Sequence, residues 1–199
     1  MNTENRLLSA ARRMDKKALT EIFDLYARPL YNYALRYCGD PLLADQVVGD
    51  VFAKLLEKLA ERKGPRDNLR SYLFEMAYNS IIDNARYVSR RVSIELVDTY
   101  GYDGLSVNPN IEDQLELEKV SQAIKSLSPD QRHVIILRFL EGFSISETAT
   151  ILRKTIGCVK ITQFRAIWNL RIVLGMGTPD PLSSSELEIT LGTTLNHAP

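Results

Sequence analysis

Asn79, Asp83, Arg86 and Arg90 recur at spacings of four, three and four residues, so they share one face of any helix that runs through them. An amide, a carboxylate and two guanidiniums in one stripe can read base edges and grip phosphates together. Tyr78 and Tyr87 beside them offer rings on which an unstacked base can lie. The plainer reading is a solvated helix face on which Asp83 and Arg86 pair at i,i+3, and spacing alone does not choose between the two. A second cluster lies near the C-terminus, where Lys160, Ile161, Phe164 and Trp168 face away from Val159, Ala166, Leu170 and Val173. That basic and apolar surface suits a recognition helix in a major groove, and an ordinary three-helix bundle is the alternative. The candidate DNA contacts there are the turn residues Lys154 and Thr155 with Lys160, Ile161, Phe164 and Arg165.

Other chemistry has little to stand on. His133 and His197 occupy no spacing that builds a zinc site or a catalytic dyad, and Cys38 and Cys158 lack any CxxC partner. No paired carboxylates or phosphate-cradling glycine loop is visible, so the reading is a protein without cofactor, metal or catalytic residues. No apolar run nears the ~18 residues of a membrane span, which points away from membrane insertion and toward a cytoplasmic protein with unpaired thiols.

The elements that must position these clusters are helical throughout. Asp15 caps a helix carrying Leu19, Ile22, Phe23 and Tyr26, and Pro29 stands as the first residue of a second helix, which ends at Gly39. Asp40 and Pro41 open a third helix, to about Glu61, whose Val47, Val51, Leu55 and Leu59 make it the centre of the first module. Gly64-Pro65 breaks the chain, and Asn68 caps a long helix from Leu69 to Arg91, buried through Leu69, Tyr72, Leu73, Met76, Ala77 and Ile81. From Val92 to Asn110 the periodicity disappears, and helical pattern resumes near Ile111. Ser128-Pro129-Asp130-Gln131 then opens a helix that stops at Gly142, Ser144 with Glu147 opens a second, and a third runs from about Gly157 to Leu174. The fold expected is all-α: a helical module at 1–91, a flexible acidic linker at 92–110, a helix-turn-helix module at 111–175 and a loosely ordered tail at 176–199.

Net charge of zero conceals segregation along the chain. Residues 1–91 hold 16 basic against 12 acidic side chains and 119–175 hold 9 against 3, whereas 92–118 hold seven acids and no base. Two basic modules joined by an acidic connector suit two nucleic-acid-facing surfaces whose connector is kept off phosphate.

Together these stretches resemble the bacterial RNA polymerase sigma factors of extracytoplasmic-function type. The resemblance covers about residues 7–175. It rests on the run Phe23 to Tyr26, on ALRYCGDPLLADQVVGDVFAKL from Ala34 and on LRSYLFEMAYNSIIDNAR from Leu69. In the second module it rests on SLSPDQRHVIILRFLEGFSISETATIL from Ser126 and on GCVK, FRA and Leu170. It implies a region 2 bundle and a region 4 helix-turn-helix that bind core RNA polymerase, recognise promoter DNA and open the duplex, with an anti-sigma factor or other regulatory protein as a further partner. It assigns Asp45, Gln46, Asp50 and Phe52 to polymerase docking, and Asn79, Asp83 and Arg86 to the minus-ten element. The loop Glu61 to Asn68 would hold a flipped base. The chain departs from the family pattern at Gln46 and Gly49, at Tyr72 and Tyr78, at Cys158, Ile161 and Thr162, and at Arg153, which replaces a customary turn glycine. Two rivals remain at this point: a helix-turn-helix regulator that never joins polymerase, and a sigma-like polymerase-binding protein that depends on a partner for DNA targeting.

Overall fold

A computed structural model describes residues 3–91 and 111–177. Among these residues the chain forms helices and turns with no strand. Four helices make the first module: α1 (Thr3–Ala11), α2 (Lys16–Cys38), α3 (Pro41–Ala60) and α4 (Leu69–Arg91). The second holds α5 (Ile111–Ser126), α6 (Pro129–Ile135), α7 (Ile145–Ile151) and α8 (Ile156–Val173), and α6 runs on into a π-helical turn at Ile136–Leu140.

Local chemistry explains most boundaries. The Asp15 carboxylate accepts from the Ala18 amide, and that of Asp40 accepts from the Leu42 amide at 2.9 Å, so two helix starts have their free donors satisfied. Gly39 ends α2 in the left-handed region at φ 71°, where its amide reaches back to the Leu35 carbonyl. Ser144 and Glu147 cap each other: the Glu147 amide donates to Ser144 Oγ and the Ser144 amide to Glu147 Oε2. Hydrogen bonding to Ser144 in turn holds the Glu147 carboxyl below its ordinary range.

The structure corrects the sequence reading in several places. Pro29 does not start a helix, because α2 continues through it from Lys16 to Cys38. A proline inside a helix costs about 3 kcal/mol, yet Ile22 on one side and Leu30, Tyr33 and Ala34 on the other all lie in the core, and their burial offsets it. The segment before Asp15 is a helix of its own, α1, with Leu7, Leu8 and Ala11 buried. Asn68 precedes α4 with φ 47°, and its carbonyl accepts from Tyr72; the carboxylate that caps the helix start is that of Glu4, on the Arg70 amide at 3.0 Å. Val173 is exposed rather than inward, while Val159 and Ala166 are buried as expected.

The two modules are packed together. The core of α1–α4 continues without interruption through Val134, Leu137, Phe143, Ala149, Ile151 and Val159. The acidic linker 92–110, and the tail from 178 onward, lie outside the described residues.

Candidate nucleic-acid interface

Helix α4 displays the polar stripe. Asn79 is half-buried and Asp83 exposed, and the backbone carries Arg86 and Arg90 on the same face further along. Glu75, one turn before Asn79, belongs to this face as well, and the sequence reading missed it. Tyr78 lies elsewhere: it is half-buried, with its ring edge-on to His133 at 4.8 Å, so here it meets protein rather than an open groove.

The loop before α4 is tightly shaped. Arg62 and Asn68 take positive φ values of 59° and 47° and bracket it, and Gly64 presses so closely on Leu59 that an added Cβ would stand 2.6 Å from Cδ2. Such backbone strain is typical of segments shaped to hold something. Glu61 at its start pairs with Lys63 at 3.1 Å and Lys58 at 3.6 Å.

On α3, Asp45 and Gln46 are exposed side by side. Phe52 is half-buried and its ring meets Phe23 of α2 at 4.8 Å. Phe23 is 47% and Leu56 42% exposed, so aromatic and aliphatic surface lies open where α2 and α3 meet. Asp50 turns inward instead, its carboxylate accepting from the buried Ser80 hydroxyl at 3.1 Å. It thereby ties the candidate docking helix to the stripe helix, immediately beside Asn79.

On α8, Lys160, Ile161 and Arg165 are exposed, and Phe164 is 44% exposed with its ring tilted at 43° against Trp168, centroids 6.2 Å apart. Thr155 is the N-cap, its hydroxyl accepting from the Cys158 amide. Lys154 pairs with Asp130 of α6; burial lowers its ammonium pKa, but the hydrogen bond to Asp130 and the Asp130 charge, with smaller help from Cys158 and Tyr78, together raise it.

What the sequence reading did not anticipate is the junction of the modules. His133 of α6 is buried among three tyrosines from the other module: Tyr37 stacks on it at 3.8 Å, Tyr78 meets it edge-on, and Tyr33 shares a 2.8 Å hydrogen bond with its Nδ1. Burial, with help from Arg132 and Lys154, pushes its pKa down to about 3, and burial pushes the Tyr33 phenol well up. Below this cage, Arg36 of α2 pairs with Glu141 at 2.7 Å, and Arg70 of α4 donates to the Glu141 carbonyl and lies 4.0 Å over the Phe143 ring. Phe143 packs edge-on against Phe74 at 4.8 Å. Burial pushes the Glu141 carboxyl up, even against the opposing charges of Arg36 and Arg70. At the outer edge Arg153 reaches Glu75 at 2.8 Å, joining the helix-turn-helix turn to the stripe. The signals for this junction were single residues, His133, Phe143 and Phe74, which no local periodicity links.

Comparison with known proteins bears on what these surfaces are. The Sigma-70 region 2 family model matches residues 22–91 and the Sigma-70 region 4 model residues 117–170. The ECF RNA polymerase sigma factor BldN of Streptomyces coelicolor is 27% identical over 173 residues, covering 84% of this chain and 64% of BldN. The chain thus spans slightly less than two thirds of that relative. SigL of Mycobacterium tuberculosis is 28% identical over 167 residues, covering 84% of this chain and 94% of SigL. Among solved structures, the sigma factor RpoE in complex with the anti-sigma factor NepR from Bartonella quintana aligns with a TM-score of 0.64 at 26% identity, over 80% of this chain and 98% of that one. CnrH in complex with the cytosolic domain of CnrY aligns at 0.67 with 21% identity, over 89% and 100%, a likeness of fold alone. With region 2 and region 4 in order on one chain that is helical among the described residues, the protein belongs to the sigma-70 family and is similar to its members of extracytoplasmic-function type.

Proposed function

We propose that this chain binds core RNA polymerase through the exposed α2–α3 surface, reads promoter DNA with α4 and α8, and promotes strand opening. The observation that carries the reading is the open aromatic surface of Phe23 and Phe52, next to Asp45 and Gln46, on the same module as the Asn79–Asp83 stripe. Apolar surface rimmed by polar side chains suits a protein partner, and an amide and carboxylate beside cations suit base edges and phosphate. Asp50 acts between them as a positioning residue through Ser80. Arg86 and Arg90 continue the stripe, and the strained loop 61–68 receives an unstacked base at a protein-side cost of roughly a few kcal/mol.

In the second module Lys160 and Arg165 hold phosphate, Ile161 and Phe164 meet thymine methyl groups, and Lys154 and Thr155 stand at the entry to the groove. Bond making belongs to the polymerase, and no step is assigned to a side chain of this protein. The chain works in the cytoplasm with core polymerase and promoter DNA, and an anti-sigma factor is a further partner. No helix among the described residues is long and apolar enough to cross a membrane.

Run-off transcription with purified core polymerase tests the reading, using Asn79→Ala as the informative variant. Permanganate footprints should show reduced melting while core affinity stays within about twofold. Equal loss of both would make Asn79 structural, and no promoter-dependent product from the unsubstituted protein would overturn the function.

A further inference from the structure

Helix α8 is apolar on two opposite sides, and the described residues cover only one of them. Val159 and Ala166 are buried against the rest of the second module. On the opposite side Ile161, Phe164, Trp168 and Ile172 follow one another at spacings of three, four and four, which lines them up in a single stripe. Ile161 is 55% and Ile172 51% exposed among the described residues. A helix that is apolar all round belongs in an interior. Promoter DNA accounts for part of the stripe only, because a recognition helix offers the groove its N-terminal residues, and Trp168 and Ile172 lie one and two turns beyond Phe164.

A cover for this stripe has to be apolar, acidic at its edges and within reach. Helix α8 carries Lys160, Arg165 and Arg171 and no acidic residue, so a second copy laid on the stripe would set cation against cation. The chain itself supplies the opposite charge. After Gly177 it holds Asp180, Glu186 and Glu188 and no Lys or Arg, and from Glu186 to Leu191 polar and apolar side chains alternate. The end of α8 redirects the chain: the Met176 amide reaches the Arg171 carbonyl at 2.9 Å and the Gly175 amide the Ile172 carbonyl at 3.1 Å, with Gly175 and Gly177 left-handed at φ 69° and 75°. Leu187 comes ten residues after Gly177, a reach of about 33 Å, and Trp168 lies only about 14 Å back along the helix.

We propose that residues 186–191 dock along the outer stripe of α8, with Leu187 on Ile172 and Ile189 on Trp168. The two repeats match, since alternate residues of an extended segment recur at about 6.6 Å and four residues of helix rise about 6 Å. Leu191 then continues toward Phe164, where, on the functional reading above, a bound duplex displaces it. An extended segment presents unpaired carbonyls along its edge. Arg171 flanks the stripe, and its Nε, buried without an acceptor among the described residues, donates to one of them. Glu186 and Glu188 face water, near enough to Arg165 and Arg171 for salt to weaken the contact. Tethering holds the segment at an effective concentration in the millimolar range, so a weak contact suffices.

Trp168 is the single tryptophan of the chain, so its fluorescence reports the cover without a label. Ile189→Asp in the full chain replaces a buried aliphatic group by a charge and should lower the docked-to-free ratio by roughly tenfold or more. The Trp168 emission should move to the red, and acrylamide should quench it more strongly. A chain ending at Gly177 should give the same spectrum. Circular dichroism checks that α8 is intact, and Ile189→Asp decides alone if the shortened chain unfolds. Emission and quenching unchanged in both variants overturn the docking. A red shift on shortening that Ile189→Asp does not reproduce overturns the assigned contact. Emission of the unsubstituted chain that moves to the red on dilution places a second copy on the stripe and overturns the proposal as well. None of these readouts involves DNA, so they decide the docking even if no complex with polymerase and promoter forms and the functional reading falls.

Discussion

Acidification should open this protein by about tenfold between pH 7.5 and pH 5.5, and His133 should be the cause. Its imidazole has a pKa of about 3 where it is buried, against 6.5 when free, so the open form takes up a proton in this range and the closed form does not. At pH 5.5 a freed ring is about ten parts protonated to one part neutral, which weakens closure by between about 1 and 2 kcal/mol. The stabilisation is complete above pH 6.5 and is lost as the pH falls toward 3. The groups facing the ring are Tyr33, Tyr37 and Cys38 from α2, Tyr78 from α4, Arg132 and Asp130 on its own helix, and Lys154 from the following turn. Burial pushes Tyr33, Tyr37 and the Cys38 thiol up, and these three stay neutral throughout. Glu141 acts in the opposite sense, since its raised pKa makes the closed form the better proton acceptor. Glu141→Gln should therefore enlarge the response, and His133→Gln should abolish it. The assay is energy transfer between Cys158 and Glu57→Cys at fixed ionic strength. An opening that is independent of pH, or one that survives in His133→Gln, would refute the reasoning.

Three further outcomes are expected. Gly64→Ala places a Cβ 2.6 Å from Cδ2 of the buried Leu59, so that side chain or the 61–68 loop must give; promoter melting should fall at least fivefold while core binding, measured by native gel, is retained. Lys160→Ala should lower the salt slope of binding to an upstream element by about one unit, and Phe164→Ala should relax preference for thymine without changing that slope, as read from a randomised duplex pool. Leu8→Ala deletes a fully buried side chain from α1 and should destabilise the chain by about 2 to 5 kcal/mol in urea unfolding, which would show that this short helix belongs to the core.

The helix ends were legible in the sequence because capping is local: Asp15, Asp40, Ser144 and Gly39 act on amides or carbonyls within four residues. The stripe on α4 was equally readable, since helical spacing alone puts Asn79 and Asp83 together. Pro29 misled because a proline favours a helix start, and only the buried residues on both sides of it reveal that packing carries the helix through. The junction was beyond local reading. Tyr33 and His133 lie a hundred positions apart, and nothing near Phe74 marks it for a partner in the other module rather than for its own core. Tyr78 was given to an unstacked base for the same reason: an aromatic beside a polar stripe looks alike whether its ring meets a nucleotide or a buried imidazole.

The π-helical turn at Ile136–Leu140 also bears on chain length. In a plain α-helix, at 100° per residue, His133 and Glu141 would end about 80° apart around the axis. Five residues wound at roughly 4.4 per turn bring the two almost into line, so that both meet the same neighbouring surface. The turn works as a phase corrector between a ring and a carboxylate. Removing a single residue from this stretch should restore ordinary winding and, since seven residues at about 100° each come within about 20° of two full turns, should leave His133 and Glu141 nearly in line as well. The turn therefore absorbs one residue of extra length: a related chain one residue shorter here, wound as a plain α-helix, should present the same two positions to the same neighbouring surface.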